Sequence, residues 1–136
     1  MATIRIGMIG TGNMAHTHAQ RLRQVGDADV VALADPSEAS REKLRQRFGL
    51  ADVAEYGDYT EMLRNETVDA VIICSPHTLH FSQARDALSA GKHVLLEKPM
   101  TCTSSEAEQL IVHAKRAGKL LQVSYQRHCV PQFMYI

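Results

Sequence analysis

Several features that would each assign a chain to a particular class of protein are missing from these 136 residues. There is no excess charge, since 15 Lys and Arg balance 15 Asp and Glu, which gives no electrostatic reason to expect nucleic acid or an anionic membrane as partner. No apolar run approaches the roughly 20 residues of a membrane span. No basic segment precedes an apolar one at the N-terminus, so we expect no signal peptide.

Cysteine is scarce as well. Cys74, Cys102 and Cys129 are an odd number without the pairing typical of a metal site, and reduced thiols in a cytoplasmic protein are the simplest interpretation. Cys74, His77 and His80 lie three positions apart and could be drawn as a metal site. No fourth ligand or acidic partner lies nearby in the sequence, so we expect no metal.

The most informative stretch lies near the N-terminus. Residues 4–9 form an apolar run typical of a strand, and residues 10–15, Gly-Thr-Gly-Asn-Met-Ala, follow the pattern G-x-G-x-x-A. Gly10 permits a sharp turn, Gly12 permits close approach of a pyrophosphate, and Ala15 lets the next helix pack closely. The first N–H groups of that helix would face the anion. Because the pattern joins a predicted strand to a predicted helix, it indicates a dinucleotide-binding turn. The candidate cofactor-binding residues of this turn are Gly10, Gly12, Asn13, Met14 and Ala15.

An acidic residue follows the second predicted strand. Residues 30–34 are continuously apolar, and Asp35 stands twenty positions beyond the glycine pattern, where a carboxylate binds the adenosine ribose hydroxyls. Such a carboxylate repels a 2′-phosphate and favours NAD over NADP, a preference that nearby Arg41 weakens slightly. Alternatively, Asp35 caps a helix, with Pro36 at the first helical position and Glu38 completing a capping box. The glycine turn upstream favours the cofactor role.

Strands and helices alternate along the remaining chain. Apolar runs predict further strands at 53–56, 69–74, 93–96 and 120–124. Helical spacing and caps predict helices at 15–25, 37–48, 58–63, 78–90 and 103–117. Strands joined by helices are parallel and connected by right-handed crossovers. The predicted fold class is therefore α/β, a doubly wound, mostly parallel sheet with helices on both faces.

Several of these motifs together resemble the Gfo/Idh/MocA oxidoreductases, which include glucose–fructose oxidoreductase and inositol dehydrogenase. The resemblance covers essentially the whole chain through the glycine turn, Asp35, Ser75-Pro76 and residues 90–99, Ala-Gly-Lys-His-Val-Leu-Leu-Glu-Lys-Pro. The Glu-Lys-Pro tripeptide is its most specific part. The resemblance implies a Rossmann fold and hydride transfer between a nicotinamide cofactor and an alcohol or ketone carbon of a sugar, inositol or related polyol.

The resemblance also implies roles around that tripeptide. Lys98 would be the catalytic residue, a buried ammonium beside the nicotinamide that hydrogen-bonds the reacting oxygen and stabilises negative charge on it. Glu97 would lie near the nicotinamide and orient Lys98, and the Lys98–Pro99 peptide bond is expected to be cis. The alternative for Lys98, judged on composition alone, is an exposed surface lysine.

Further cofactor contacts follow from the resemblance. Ser75 and Pro76 would line the cofactor near the nicotinamide ribose. At the position of His77 the family commonly has Asn. His77 could make the hydrogen bond that this Asn normally makes. His80 matches a common histidine of the family. Candidate cofactor-binding residues from the resemblance are thus Ser75, Pro76, His77, His80, Glu97 and Lys98.

Two further histidines lie on the first predicted helix. His16 and His18 are two positions apart and therefore on different faces, so we expect no shared ligand role. One of them can approach the pyrophosphate or the substrate crevice. For His18, a solvated position on the helix surface is the favoured interpretation.

The resemblance divides the chain into a nucleotide-binding domain at 1–123 and, at 124–136, the start of a crossover into a C-terminal α+β domain. In the family that domain supplies most substrate contacts and usually the contacts between subunits. Arg127 often lies near the substrate, so Lys98 and Arg127 are the candidate substrate-binding residues. We therefore expect a fragment of a longer protein that binds NAD(H) but turns over poorly alone.

Two alternatives remain open at this point. The chain could be a non-catalytic NAD(H)-binding module that senses the redox state of the nucleotide, although binding alone does not require Glu-Lys-Pro. It could also bind another nucleotide cofactor such as S-adenosylmethionine, which explains the glycines and Asp35 but not the tripeptide.

Overall fold

The structure, a computed structural model, describes residues 3–64 and 67–126 of the chain. Within these residues six strands and five α-helices alternate. The strands are β1 (Ile4–Ile9), β2 (Ala28–Ala34), β3 (Ala54–Tyr56), β4 (Ala70–Ile73), β5 (His93–Leu96) and β6 (Leu121–Val123). The helices are α1 (Asn13–Leu22), α2 (Glu38–Phe48), α3 (Tyr59–Leu63), α4 (His80–Ser89) and α5 (Ser104–Ala117), with a 3₁₀ turn at His77–Leu79 before α4.

All paired strands are parallel, and their order in the sheet is β3-β2-β1-β4-β5-β6. Strands β1, β2 and β3 therefore follow one another toward one edge of the sheet, and β4, β5 and β6 toward the other edge. This order confirms the doubly wound fold. A crevice forms where the two directions part, outside the carboxyl ends of β1 and β4. In this class of sheet, ligands bind at that crevice.

The register of the central strands sets the level at which the chain leaves the sheet. Ile9 is opposite Ala34 on β2 and Ile73 on β4, and Ile73 is opposite Leu96 on β5. Four neighbouring strands thus end at the same height. The residues that follow each strand consequently meet along one edge of the sheet.

The sheet is covered on both faces, as its continuously apolar strands predict. One face packs against α3, α4 and α5, with Met62, Leu88 and Leu110 at the centre of that cluster. The other packs against α1 and α2 through Ala15 and Leu44. All five of these side chains are buried, and burying a Leu or Met side chain contributes roughly 1.5–3 kcal/mol.

The helix boundaries test two interpretations made from the sequence. The side chain of Ser37 caps α2 by accepting a hydrogen bond from the Ser40 N–H at 3.2 Å, so the interpretation of Asp35 as the helix cap is wrong. Helix α1 ends at Leu22, short of the predicted end near Val25. Its chain tightens into 3₁₀ hydrogen bonds, one of them from Val25 N–H to the Leu22 carbonyl at 2.9 Å.

The start and end of α5 agree with the sequence. Thr103 and Glu106 form a capping box, and Gly118 ends the helix with a left-handed φ of 63°. None of the helices in the described residues is long and apolar enough to cross a membrane.

Candidate active site

The glycine turn between β1 and α1 is closely packed on one side and open on the other. Gly10 has a φ of +82°, and a Cβ there would lie 2.8 Å from the backbone nitrogen of Ser75. Glycine is therefore needed both for the conformation and for contact with the loop after β4. A Cβ on Gly12 would meet no atom within 4 Å, which leaves open space beside the backbone.

The N-terminus of α1 carries unpaired polar groups around that open space. Gly12 is the N-cap, no side chain caps the helix, and the first turn contains no acidic residue. The N–H groups of Asn13 and Met14 therefore face outward with the positive end of the helix dipole. Among the described residues, Thr11 Oγ1 is the one buried side-chain polar atom without a hydrogen-bond partner. An anionic diphosphate fits this donor-rich turn, since it accepts hydrogen bonds from such groups.

The carboxylate of Asp35 lies beside the same turn. Its Oδ2 accepts a hydrogen bond from the backbone N–H of Thr11 at 2.8 Å, and its Oδ1 accepts one from Ser37 N–H at 2.9 Å. An ionised carboxyl oxygen has two lone pairs. Each oxygen can therefore accept a further hydrogen bond from a ligand hydroxyl while the backbone holds the carboxylate in place.

Arg41 lies next to this carboxylate but is engaged elsewhere. Its Nε donates to Glu55 Oε2 at 3.1 Å, and its Nη1 donates to the backbone carbonyl of Asp35. The side chain is only 13% exposed. Glu55 also pairs with Arg45 at 3.3 Å, so its one negative charge is shared between Arg41 and Arg45.

A cavity of about 690 Å³ opens beyond the carboxyl ends of β1, β2 and β4, within the range typical of small-molecule sites. Four predicted residues line it, namely Gly10, Asp35, Ser75 and Pro76. Its walls are mostly apolar and include residues that the sequence did not indicate, among them Tyr59, Leu79 and Gln83. These come from separate segments that only the folded topology brings together.

His80 lies behind the crevice instead of facing it. The residue is fully buried, with Nδ1 2.7 Å from the carbonyl oxygen of Pro99 and Nε2 3.1 Å from that of Ser75. The imidazole thus holds the loop after β4 against the loop after β5, and no part of it reaches the cavity surface. His77, one turn earlier, is exposed, with its ring 6.0 Å from that of His80.

Glu97 and Lys98 follow β5 at the same edge of the sheet. The Lys98–Pro99 bond is cis, as the family resemblance implied. Glu97 is 5% exposed, and its Oε2 accepts a hydrogen bond from the Lys98 backbone N–H at 3.2 Å. The expectation of a buried Lys98 ammonium is wrong, since Lys98 is exposed. Its position two residues beyond β5 lies outside the packed edge of the sheet.

His18 provides the buried contact that the sequence interpretation missed. It is 6% exposed, and its Nε2 lies 2.8 Å from Glu97 Oε1, so the solvated position favoured for it is wrong. The spacing of α1 contains the signal, because His18 lies three positions after Ala15 and four before Leu22, on the face that packs inward.

His16 faces a different neighbour. Arg47 Nη1 donates to its Nδ1 at 3.2 Å, and its ring lies 5.8 Å from that of Phe48 on α2. Burial, followed by the positive charges of Arg47 and Lys43, lowers the pKa of His16. It therefore packs α1 against α2 in its neutral form and does not approach the crevice.

Within residues 3–64 and 67–126, no three His, Cys, Asp or Glu side chains are grouped as a metal site would require. Burial, and secondarily the charge of Glu97, raises the pKa of the Cys74 thiol to about 12. Arg127 and Cys129 lie outside the described residues, as does most of the predicted crossover at 124–136.

The doubly wound sheet, the glycine turn with its uncapped helix and the carboxylate after β2 define a dinucleotide-binding α/β domain. A family model described as "Oxidoreductase family, NAD-binding Rossmann fold" matches residues 4–125. The chain therefore belongs to the Gfo/Idh/MocA family of NAD-binding oxidoreductases.

Individual relatives agree with this placement. The chain is 34% identical over 134 residues to an inositol 2-dehydrogenase from Paracoccus denitrificans, covering 97% of this chain and 40% of the relative. It is 37% identical over 123 residues to a D-xylose 1-dehydrogenase (NADP(+)) from Hypocrea jecorina, covering 83% and 32%. The crystal structure of the WlbA dehydrogenase from Bordetella pertussis, in complex with NADH and UDP-GlcNAcA, superposes with a TM-score of 0.89 at 26% identity, covering 97% and 40%. The chain thus spans two-fifths or less of the length of these three relatives.

Proposed function

We propose that the chain binds NAD(H) in preference to NADP(H) and contributes Lys98 as the catalytic residue of a dehydrogenase that acts on a sugar or polyol. The observation that carries this proposal is the common level at which β2, β1, β4 and β5 end. Asp35 follows β2 and Lys98 follows β5, so the two residues lie on either side of the glycine turn along one edge of the sheet. Three strand spacings separate them, about 14 Å along the sheet edge, which suits an extended dinucleotide.

The diphosphate would be held by the backbone of the turn. Asn13 and Met14 offer uncapped N–H groups, the open side of Gly12 leaves room for the phosphates, and Thr11 Oγ1 has no protein partner. Together they supply hydrogen bonds and a favourable dipole without a positively charged side chain.

The adenosine end would lie in the cavity bordered by Asp35. Its carboxylate can accept hydrogen bonds from both ribose hydroxyls while it remains held by two backbone N–H groups. A 2′-phosphate there would meet a fixed negative charge, and Arg41 is already paired with Glu55. These contacts support a preference for NAD, although the xylose dehydrogenase relative is named as NADP-dependent.

The nicotinamide end would lie by Ser75, Pro76 and Lys98, whose loops His80 holds together. A bound nicotinamide supplies the hydride chemistry, and the protein supplies position and charge. The ammonium of Lys98 would donate a hydrogen bond to the reacting oxygen and stabilise the negative charge that develops on it. When the oxygen loses its proton, Lys98 can join the path by which the proton leaves.

A sugar or polyol is the proposed substrate class because the similar proteins include an inositol and a xylose dehydrogenase. We also propose that Arg127 contributes to substrate binding and that subunits associate through a domain following residue 123. A cytoplasmic location suits the thiols that the sequence predicts to be reduced.

Titration of the purified chain with NADH, NADPH and S-adenosylmethionine by calorimetry tests the proposal. The expected order of affinity is NADH above NADPH, with no saturable binding of S-adenosylmethionine. Tighter binding of NADPH would contradict the role of Asp35. Saturable binding of S-adenosylmethionine alone would contradict the dehydrogenase assignment.

A further inference from the structure

One buried contact joins α1 to the segment that follows β5. His18 Nε2 lies 2.8 Å from Glu97 Oε1, and each side chain is only 7% exposed. The residues are 79 positions apart in the chain. Burying two polar groups is costly unless they satisfy one another, so this contact is strongly specified.

The fold gives the contact its importance because it joins two functional elements. His18 lies on α1, the helix whose N-terminus would receive the diphosphate. Glu97 immediately precedes Lys98 at the end of β5. The hydrogen bond therefore links the helix that binds the cofactor to the backbone that carries the catalytic lysine.

Glu97 is the centre of a small network. Its Oε2 accepts a hydrogen bond from Lys98 N–H at 3.2 Å, and its Oε1 also accepts one from Gln126 Nε2 at 3.3 Å. An ionised carboxylate only accepts hydrogen bonds, so His18 must carry a hydrogen on Nε2 and donate it. Cys74 is a further titratable neighbour of Glu97, and burial and the charge of Glu97 raise the pKa of its thiol.

We propose that His18 is a positioning residue for the reaction: by donating to Glu97 it fixes the carboxylate that tethers the Lys98 backbone, and so aims the lysine at the nicotinamide. The inference rests on the proposed function, because it assumes the catalytic role of Lys98. The Lys98 side chain is long and exposed, with no hydrogen bond of its own in the described part of the chain, so its backbone tether determines where it can reach. Small displacements of a catalytic group cost large factors in rate.

Loss of the His18 donor has a definite consequence. Glu97 would have one hydrogen bond fewer at a buried position, and its carboxylate would turn toward another partner or toward solvent. In both cases the hydrogen bond to Lys98 N–H weakens. A purely structural role would instead affect only stability, since α1 and β5 would lose one packing contact.

Acylation of Lys98 in the presence of NADH separates these two roles without an activity assay. The chain is treated with an acetylating N-hydroxysuccinimide ester, with and without NADH, and modification of Lys98 is followed by mass spectrometry. Lys115, exposed in the last turn of α5 at the opposite edge of the sheet, serves as the internal reference. At an NADH concentration of about ten times Kd, a lysine held against the cofactor should react about tenfold more slowly.

In the His18→Leu variant the diphosphate and adenosine contacts remain, so we expect the Kd for NADH to stay unchanged within about twofold. Most of the protection of Lys98 should nevertheless be lost. His18→Gln retains a donor and should restore part of the protection. His16→Leu, a buried histidine on the same helix that faces α2, is the matched control and should leave the protection unchanged.

The double variant His18→Leu/Glu97→Leu keeps the test independent of folding. Removing the charge together with its partner should recover the Tm lost in the single variant, because no uncompensated buried charge remains. Most of the protection of Lys98 should still be lost. If NADH protected Lys98 in either Leu variant as strongly as in the unchanged chain, the positioning role of His18 would be overturned. The proposed role of Lys98 would not be affected by that result. Absence of NADH protection in the unchanged chain would instead overturn the proposed role of Lys98, and the positioning role with it.

Discussion

The carboxylate of Asp35 accepts a hydrogen bond from the backbone N–H of Thr11 at 2.8 Å, across 24 positions of sequence. This contact connects the ends of β1 and β2 and holds a negative charge beside the glycine turn. Since Ser37 N–H donates to the other oxygen, the carboxylate cannot turn away without losing two hydrogen bonds. The selectivity of the site for its nucleotide should therefore depend on this side chain.

Replacing Asp35 by Ser should weaken NADH binding and reduce discrimination against NADPH. A hydrogen bond to a charged group is worth about 1.5–3 kcal/mol, so the NADH Kd should rise roughly 10- to 100-fold. The repulsion of a 2′-phosphate disappears with the charge, so the NADPH Kd should change less. Calorimetric titration with both nucleotides measures the ratio.

Asp58→Ser is the matched control for that change. Asp58 lines the same cavity but caps α3 by accepting from Thr60 N–H at 2.8 Å, a role that serine also fills. The ratio of NADH to NADPH affinity in the Asp58→Ser variant should stay unchanged. An Asp35→Ser variant that also keeps the original ratio would disprove the proposed selectivity.

The two glycines of the turn should respond differently to alanine. Gly10→Ala places a Cβ 2.8 Å from Ser75 N at a left-handed φ, and should lower the free energy of unfolding by about 2–4 kcal/mol. Gly12 has a φ of −75° and open space around it, so Gly12→Ala should change stability by less than about 0.5 kcal/mol. Its methyl group would nevertheless occupy the space proposed for the diphosphate, and NADH binding should fall.

Denaturant unfolding and NADH titration of both variants check this contrast, with Gly26→Ala as a control in open space away from the crevice. Full NADH affinity in Gly12→Ala would place the diphosphate elsewhere. Unchanged stability in Gly10→Ala would contradict the close contact with the loop after β4.

Lys98→Met should separate chemistry from binding. Because the ammonium has no hydrogen bond within the described residues, Tm and NADH affinity should hardly change. With a sugar or polyol that the protein oxidises using NAD, kcat should fall about 10²- to 10³-fold, the usual cost of removing one donor to a developing charge. Lys115→Met is the control. Retention of kcat would remove the lysine from the mechanism.

The two described cysteines should differ in reactivity. Burial, and then the charge of Glu97, raises the pKa of Cys74 to about 12, whereas Cys102 is exposed. The thiolate is the nucleophile, so iodoacetamide at neutral pH should alkylate Cys102 and leave Cys74 unmodified in the folded chain. Peptide mapping before and after denaturation measures both sites. Equal labelling of both in the native state would contradict the buried environment of Cys74.

His16 should make stability depend on pH. Its pKa is lowered in the folded state by burial and by Arg47 and Lys43, so the unfolded chain binds more protons between that value and about 6.5. The free energy of unfolding should therefore decrease as the pH falls through about 6.5, and level off below the folded pKa. His16→Leu should flatten the curve between about pH 7 and 5. An equal slope in both proteins would contradict the neutral buried His16.

Much of the fold could be predicted because its signals are local. Apolar runs bounded by glycine marked the strands, and the capping box at Thr103 marked the start of α5. The position of Asp35 beside the glycine turn could be predicted because its distance from that turn in the sequence is characteristic of one topology. The end of α1 was missed because a last turn of 3₁₀ hydrogen bonds leaves no mark in the apolar spacing.

The site residues and contacts that could not be predicted lie where segments distant in the sequence meet. Tyr59 and Leu79 line the cavity, yet neither has a feature that separates it from other apolar residues before the strand order is known. His18 could have been recognised from its position on the inward face of α1, although its partner Glu97 depends on the tertiary fold. The exposure of Lys98 depends on what packs beyond β5, which spacing does not encode.

The position of the bound nucleotide can be determined in a crystal structure of the chain with NADH. We expect the diphosphate at the N–H groups of Asn13 and Met14, the adenosine ribose hydroxyls hydrogen-bonded to Asp35, and the nicotinamide ring beside Lys98. A nucleotide that lies in the crevice with its nicotinamide turned away from Lys98, or with its ribose away from Asp35, would contradict this expectation.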